Sequence, residues 1–526
     1  MSRSGGDAID KATREAQQKM SFGEWCARSI FPSVAWKESI ETISDEDVAR
    51  VYPYFNDRLF YCRRSKNWYR LNEHNVYILM NDDIELRTGF TRIADAVSLY
   101  TQHLKNEFDA SFMGNGSVTD NVKSSEKLVY LIKNCDKLYK NLKSSSFKDH
   151  VIKELPSYYA HDDLYSLLDS KGNLFAFNNK VVDLDLGYVR PIFVDDYIST
   201  TTGYDYPETV DSEALQFLND TLNSIHPTKE DVDYMCECIA YCLHGFKKRH
   251  DYFFAWVGKG GNGKGTMSIL IMDSFGGYYK PMSIEYFTSV RKGSNSASPE
   301  LANKKGVRVV ISTEADEDSK YQTSKIKELS DVLEVRALYK NPVSFTPQFG
   351  LIIQSNDDPQ FTTCDKGIIR RYRGQKFPYQ FVKDPKTPFE KQIDPNLKYK
   401  LSDPKVRDAF ILMLINVFKK KLSKGQPIDM PKDAKDYTQG VADENDVLTR
   451  FLFDNYNVTH SNFDKVDKVS VHNAFRDRTG RKLPNGIERK IVEILKSTVD
   501  KTKNPDFDPK NKRNYIGISR LKEDEI

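Results

Sequence analysis

The spacing of apolar and polar residues divides the chain into stretches of different texture. Between 57 and 80, DRLFYCRRSKNWYRLNEHNVYILM alternates aromatic and β-branched residues with polar ones, which predicts short strands and, with the polar stretch before it, a small α/β module over 1–110. The Gly-, Ser- and Asn-rich segment SFMGNGSVTDNVKSS (111–125) predicts an exposed loop and a domain boundary. Residues 126–170 read as helical, 173–193 (NLFAFNNKVVDLDLGYVRPIF) as strands turning at Asn178-Asn179 and Gly187, and 212–246 as helical again. Val232, Met235, Ile239 and Leu243 recur there at helical spacing. Residues 111–245 are therefore expected to form a second, mostly helical domain.

From Tyr252 the texture changes. A strand (Tyr252–Val257), a glycine loop, the apolar helix MSILIMDSF, an apolar run (Val307 with Val309–Ile311) and a further strand FGLIIQS (349–355) follow one another. Such alternation predicts an α/β domain with a parallel sheet, spanning 246–382 and closed by the three prolines of KDPKTPFEKQIDPN. In the next region, 383–440, the helix VRDAFILMLINVFKKKL (406–422) has a broad apolar face and a basic last turn that suits its dipole. It is expected to pack as a lid. Residues 441–526 contain DVLTRFLFDNY, VSVHNAFRDRTG, IERKIVEILKSTV and NYIGISRL, whose order of helix, turn, helix and strand predicts a winged-helix unit. No internal repeat is apparent.

Composition narrows the class. At 39% hydrophobic and 29% charged residues the chain reads as soluble and globular, and it has no run of about 18 apolar residues to span a bilayer. The first twenty residues carry no apolar core segment, so an intracellular location is expected. Seven cysteines, odd in number and sparse, suit a reducing compartment. Cys236, Cys238 and Cys242, with His244 and His250 nearby, have the wrong spacing for a zinc knuckle and fall on the predicted helix. Net charge is 78 − 75 = +3, so any nucleic-acid contact must come from local patches. One patch lies in 476–503, where nine basic residues (Arg476, Arg478, Arg481, Lys482, Arg489, Lys490, Lys496, Lys501, Lys503) face four acids.

The chemistry concentrates after Val257, in Gly258-Lys259-Gly260-Gly261-Asn262-Gly263-Lys264-Gly265-Thr266. Glycines let backbone N–H groups converge on a β-phosphate, the following helix N-terminus favours an anion, and Lys264 reaches the β- and γ-phosphates. This predicts ATP binding by Gly258, Gly260, Gly261, Asn262, Gly263, Lys264, Gly265 and Thr266. Gly265 stands where a Ser or Thr hydroxyl ordinarily ligates Mg2+; either Thr266 substitutes or water does. Glu314, at the end of the next apolar strand, stands where a P-loop enzyme needs an acid to hold the metal or polarise the attacking water, and Asp316 is a second acid for that work. Asn356, just beyond FGLIIQS, is a neutral amide suited to sense the γ-phosphate. In DKGIIRRYRGQKF, Arg370, Arg371 and Arg373 offer more guanidinium than one site requires, so Arg370 or Arg371 is expected to act as a finger in a neighbour's site.

In sequence order, GKGGNGKGT, the Glu314 strand, SKIKELSDVLEVRALYKNPVSFTP, LIIQSN and DKGIIRR resemble the superfamily 3 helicases. Within these the chain is most similar to the helicase portion of primase-helicases of poxviruses and other large DNA viruses, phages and satellite plasmids. The likeness covers roughly 170–385 and includes NLFAFNNKVVDLDLGY, which resembles that group's helicase-associated domain. The resemblance implies an AAA+-like P-loop ATPase, a homohexameric ring, dependence on ATP and Mg2+, and 3′-to-5′ unwinding of DNA during viral, phage or plasmid replication. Its partners would be single-stranded and forked DNA, with primase or other replication proteins.

EVRALYKNPVSF (334–345) reads as strand, tight turn and strand. By position in the family such a hairpin enters the ring channel, and its tip lysine, here Lys340 with Arg336 and Tyr339 beside it, holds a DNA phosphate. Lys325 and Lys327 on the preceding helix are further phosphate contacts or a solvated face. Two other readings stay open: a nucleotide-driven AAA+ switch or remodeller that does not unwind DNA, and a fragment of a bifunctional primase-helicase.

Overall fold

The computed structural model describes residues 21–111, 118–245, 250–289, 299–313, 320–335, 343–362, 365–445, 447–459, 461, 464–480, 491, 514–516 and 518–520. The chain forms two compact units, one ending at Val182 with the addition of Val189–Tyr206, the other comprising Asp183–Tyr188 and Pro207–Ile526.

The first unit opens with short helices started by serine caps. Ser33 accepts from the Trp36 N–H ahead of Val34–Thr42, and Ser44 accepts from the Asp47 N–H ahead of Asp45–Phe55. The predicted strands follow as an antiparallel meander, Leu59–Cys62, Asn67–Leu71 and Tyr77–Leu79, to which Ala160–His161 adds in parallel. Helices Ile84–Ser111 and Val118–Asn141 share one core, in which Trp36, Tyr52, Phe90, Leu138 and Val151 are buried together. Of the exposed loop expected over 111–125, residues 118–125 are helical and that part is corrected, whereas 112–117 lie outside the described residues. Ser, Thr and Asn disfavour helix by only a few tenths of a kcal/mol each. Burial of Cys135 and Leu138 further along the helix outweighs that penalty. The boundary expected at 111 does not separate two cores.

The three strands Leu174–Ala176, Lys180–Asp183 and Tyr188–Pro191 form a small sheet, with Gly187 at φ +76° in its turn.

In the second unit the predicted parallel sheet is present. Its five strands, in chain order, are Phe253–Val257, Tyr279–Pro281, Val309–Thr313, Gly350–Ser355 and Tyr372–Lys376. Across the sheet the order is fifth, first, fourth, third, second, and every pairing is parallel. The three inner strands, Phe253–Val257, Gly350–Ser355 and Val309–Thr313, are near-continuously apolar, which suits a sheet covered on both faces. Helices Ser212–Ile225 and Lys229–Tyr241, expected to belong with the preceding domain, are part of this unit. They pack with Lys264–Phe275 around the helix Pro404–Val417, whose Val406, Ala409, Phe410, Ile411, Leu414 and Ile415 are buried. A stripe that wide demands neighbours on several sides, so this helix lies within a helical layer and not as a surface lid. Its continuation, Phe418–Leu422, places Lys421 against Glu237. Cys236 and Cys238 on helix Lys229–Tyr241, and Cys242 at its cap, are buried thiols in that packing.

Toward the C-terminus, Val447–Asn455 and Lys468–Thr479 are helices. Tyr456–Val458 pairs with Ile518–Arg520, and Lys465–Asp467 with Asn514–Ile516, both antiparallel. Leu448, Phe451, Leu452, Tyr456, Val471, Phe475 and Ile491 form a small core of their own. Among the described residues no helix is long and apolar enough to cross a membrane.

Candidate active site

All five strands run the same way, so their C-terminal ends share one edge of the sheet. Val257 ends the first strand between Ser355 of the fourth and Lys376 of the fifth, and the glycine loop leaves the sheet at that point. Two glycines are required there by conformation: Gly261 has φ +75° and Gly263 φ +96°. A Cβ on Gly263 would also lie 2.9 Å from Ile225 Cγ1. Asn262 is buried; its Oδ1 accepts from the Lys264 N–H at 3.3 Å and its Nδ2 donates to Phe377 O at 3.5 Å. Helix Lys264–Phe275 begins immediately, with its first N–H groups at the loop.

Lys264 is only 8% exposed. Its ammonium donates to the carbonyl of Gly258 and, at 3.0 Å, to that of Ser355. The lysine thus joins the glycine loop to the end of the fourth strand, directly before Asn356, which is exposed. The third strand ends alongside, Thr313 facing Gln354 in register. Glu314 follows Thr313; Glu314 and Asp316 lie outside the described residues. Gly265 is not demanded by packing, since a Cβ there would meet nothing within 4 Å. Thr266, next along the helix, is partly buried.

Several residues of this site carried no motif. Gln354, buried in the fourth strand, donates to Ser268 Oγ at 2.8 Å and to Lys264 O at 3.4 Å, fixing the first turn of the helix. A lone amide within the apolar LIIQS was the signal available for it. The loop is walled by Phe377 and Phe381, whose N–H groups donate to Val257 O and Gly261 O, both at 2.7 Å. His226 packs its ring 4.7 Å from that of Phe377. Burial, aided by the Lys391 charge, pushes the His226 imidazole down to about 4, so it is a neutral wall at physiological pH. Lys391 donates to Ser224 O at 2.7 Å and lies 3.5 Å from the centre of the Tyr379 ring, and burial lowers its pKa. No sequence signal marks these walls, because three separate segments form them.

Arg370 and Arg371 end the helix Lys366–Arg371, capped at its start by Asp365. Arg371 leads into Tyr372, which pairs with Phe253 at the beginning of the first strand. The arginines therefore sit at the opposite edge of the sheet from the glycine loop. The intervening strand of five residues spans about 16 Å. Arg371 is held at that edge by Asp251 at 3.3 Å and by Gly367 O at 2.9 Å, whereas Arg370 is exposed. Arg373 lies over the Tyr252 ring at 3.9 Å.

The expected hairpin has its two stems, Leu333–Val335 and Val343–Phe345, paired antiparallel. Its tip, with Arg336, Tyr339 and Lys340, lies outside the described residues. Lys325 is neither a phosphate contact nor part of a solvated face: it is buried and donates to Tyr286 O at 2.6 Å and Ser289 Oγ at 3.0 Å. Lys327 pairs with Asp365. Of the basic patch, Arg476 and Arg478 stand in the last turn of Lys468–Thr479; the other seven residues lie outside the described residues.

Residues 49–223 match a family model described as D5 N terminal like, and residues 256–371 match a family of unknown function, DUF5906. A putative helicase, L207/L206, of Acanthamoeba polyphaga mimivirus is 30% identical over 80% of this chain and 44% of its own length. Primase D5 of Fowlpox virus is 26% identical over 42% of this chain and 30% of its own length. A solved structure, the apo A form of the NrS-1 C-terminal region, aligns with 83% of this chain and 82% of its own at 11% identity and a TM-score of 0.41. The chain spans less than half the length of these two viral relatives. Over 49–223 the chain is thus similar to the D5 N terminal like family, and along its length it is similar to putative helicases and a primase D5 of large DNA viruses.

Proposed function

We propose that this chain is the ATP-driven motor of a replicative DNA helicase of superfamily 3, with an AAA+-like P-loop core that works as a homohexameric ring. The observation that carries the reading is the position of Lys264, an almost wholly buried ammonium held between the glycine loop and the end of the strand leading to Asn356. A buried cation at a helix N-terminus, beside convergent backbone N–H groups, is built for a polyphosphate. Phosphate oxygens would replace the carbonyls of Gly258 and Ser355 as its acceptors.

Asn356, beside that lysine, would orient the attacking water without repelling it, and Glu314, one residue beyond the third strand, would polarise the water or hold the metal. Mg2+, when bound, would neutralise charge on the β- and γ-phosphates. The fit to the metal is incomplete at one place, Gly265, which has no hydroxyl to offer. Thr266→Ala is expected to raise the Mg2+ concentration needed for nucleotide binding if its hydroxyl substitutes. Gly265→Ser, entering open space, is expected to lower that concentration. A Mg2+ titration of nucleotide binding checks both, and an unchanged Thr266→Ala curve assigns the position to water.

DNA would be held by the hairpin stemmed by Leu333–Val335 and Val343–Phe345, through Lys340 with Arg336 and Tyr339 at its tip. Lys340→Ala is expected to keep basal ATP hydrolysis while losing unwinding. Its salt dependence of single-strand binding should also be shallower, by about 0.7 in log K against log[salt] for each phosphate it no longer neutralises. A winged-helix reading of 441–526 would add duplex contacts through its basic residues. The experiment that tests the function is strand displacement by the full chain, with ATP and Mg2+, on forked DNA carrying a 3′ tail. ATP hydrolysis without displacement would favour the switch or remodeller reading.

A further inference from the structure

Beyond the glycine loop, the sheet edge carries a second set of specific contacts that no sequence motif announces. Helix Lys432–Asn445 packs along the outermost strand, Tyr372–Lys376. Gly374 makes this possible, since a Cβ there would meet the Tyr437 ring at 2.7 Å. The Gly374 N–H donates to the buried Thr438 Oγ1 at 3.1 Å, and Lys376 Nζ lies 4.7 Å from the centre of the Tyr437 ring. Placed in this way, the Tyr437 hydroxyl donates to Asp358 Oδ1 at 2.6 Å. Burial pushes the phenol pKa up, so Tyr437 stays protonated and remains a donor.

Asp358 is two residues beyond Asn356, in a tight turn where the Ser355 hydroxyl donates to Asp357 O at 2.6 Å and accepts from the Asp357 N–H at 3.3 Å. That turn begins with the carbonyl that receives Lys264. One side chain from helix Lys432–Asn445 therefore fixes the far end of a four-residue segment whose near end touches the phosphate-loop lysine.

We propose that Tyr437 is a positioning residue for nucleotide hydrolysis: through Asp358 it holds the Ser355–Asp358 turn, and with it Asn356, in place. Resting on the nucleotide-site reading above, this makes the rate of hydrolysis depend on the seating of a helix that precedes the small core around Phe451 and Phe475. A carboxylate accepting a phenolic hydrogen bond gives the turn one defined position. A misplaced amide costs rate without costing nucleotide affinity.

The test compares Tyr437→Phe, Asp358→Ala, Asp358→Asn and the double variant Tyr437→Phe/Asp358→Ala, using the full chain. Hydrolysis, nucleotide Kd and Tm are measured for each. Tyr437→Phe keeps the ring over Gly374 and removes only the hydroxyl. It is expected to lower kcat about tenfold, the equivalent of one hydrogen bond to a charged group, with Kd and Tm nearly unchanged. Asp358→Ala should match it, the double variant should be no worse than either single one, and Asp358→Asn, which still accepts from the phenol, should recover most of the rate. A Tyr437→Phe rate equal to wild type, additive losses in the double variant, or a fall in kcat that merely follows a fall in Tm or Kd would each overturn the proposal. If wild type hydrolyses ATP and Lys264→Ala does not, such a result removes the role of Tyr437 alone. If wild type neither binds nor hydrolyses ATP, the nucleotide-site reading falls as well.

Discussion

Lys264→Ala is expected to abolish ATP hydrolysis and unwinding together, by on the order of 10²-fold or more, the scale seen when one preorganised charge-stabilising donor is removed from an active site. The side chain is buried and its ammonium joins Gly258 O to Ser355 O, so alanine removes the cation and both of these bonds, while the Gly258 N–H still donates to Ser355 O at 3.2 Å. Nucleotide affinity should fall along with the rate. Lys264→Arg should also fail, because a planar fork does not replace a compact ammonium between the two carbonyls that receive it. Steady-state hydrolysis and equilibrium binding of a labelled nucleotide, with Tm as the control for folding, measure these effects. If more than about a tenth of the hydrolysis survived in Lys264→Ala, the phosphate-loop assignment would have to be withdrawn.

The core of this site was legible because its signals are local. Apolar runs bounded by glycine marked the strands, and the glycine loop between a strand and a helix stands where its sequence put it, at the end of the first strand. Long-range packing was not legible. The segment 118–125 has the composition of a linker, yet it becomes helix because residues beyond it, Cys135 and Leu138, join the core around Trp36 and Phe90. Helix 404–417 reads as amphipathic and lid-like, but its apolar face is wide enough to need three helical neighbours, and helices Ser212–Ile225 and Lys229–Tyr241 supply two of them. Lys325 illustrates a limit of charge reading: a lysine on a short polar helix looks solvated until the carbonyl of Tyr286, far away in sequence, is seen to receive it. Tyr437 and Asp358 belong to the same class, since neither the spacing nor the type of the two residues points to a bond between them.

The arginines carry the second large effect. Their sequence, Ile-Ile-Arg-Arg, does not distinguish Arg370 from Arg371, but the surroundings do. Arg371 is committed to Asp251 and Gly367 O within its own subunit, while Arg370 is exposed at the sheet edge about 16 Å from the glycine loop. Arg370 is thus too distant to reach a γ-phosphate bound by its own loop, and in a head-to-tail ring the surface carrying it would face the next subunit's nucleotide. Arg370→Ala is expected to bind ATP normally and to lose about 10³–10⁵-fold in turnover, the range a finger arginine contributes. Arg371→Ala should instead cost up to about 1 kcal/mol of stability, visible as a lower Tm, by leaving the partly exposed Asp251 unpaired. Mixed rings separate action within a subunit from action across the interface. An Arg370→Ala subunit keeps a complete nucleotide site, and a Lys264→Ala neighbour still presents its own Arg370. Mixing the two inactive variants should therefore restore hydrolysis at those interfaces where the intact arginine meets the intact loop, in proportion to their frequency. No recovery in verified mixed rings, together with full hydrolysis by a wild-type monomer, would place catalysis within one subunit and end the case for a shared site.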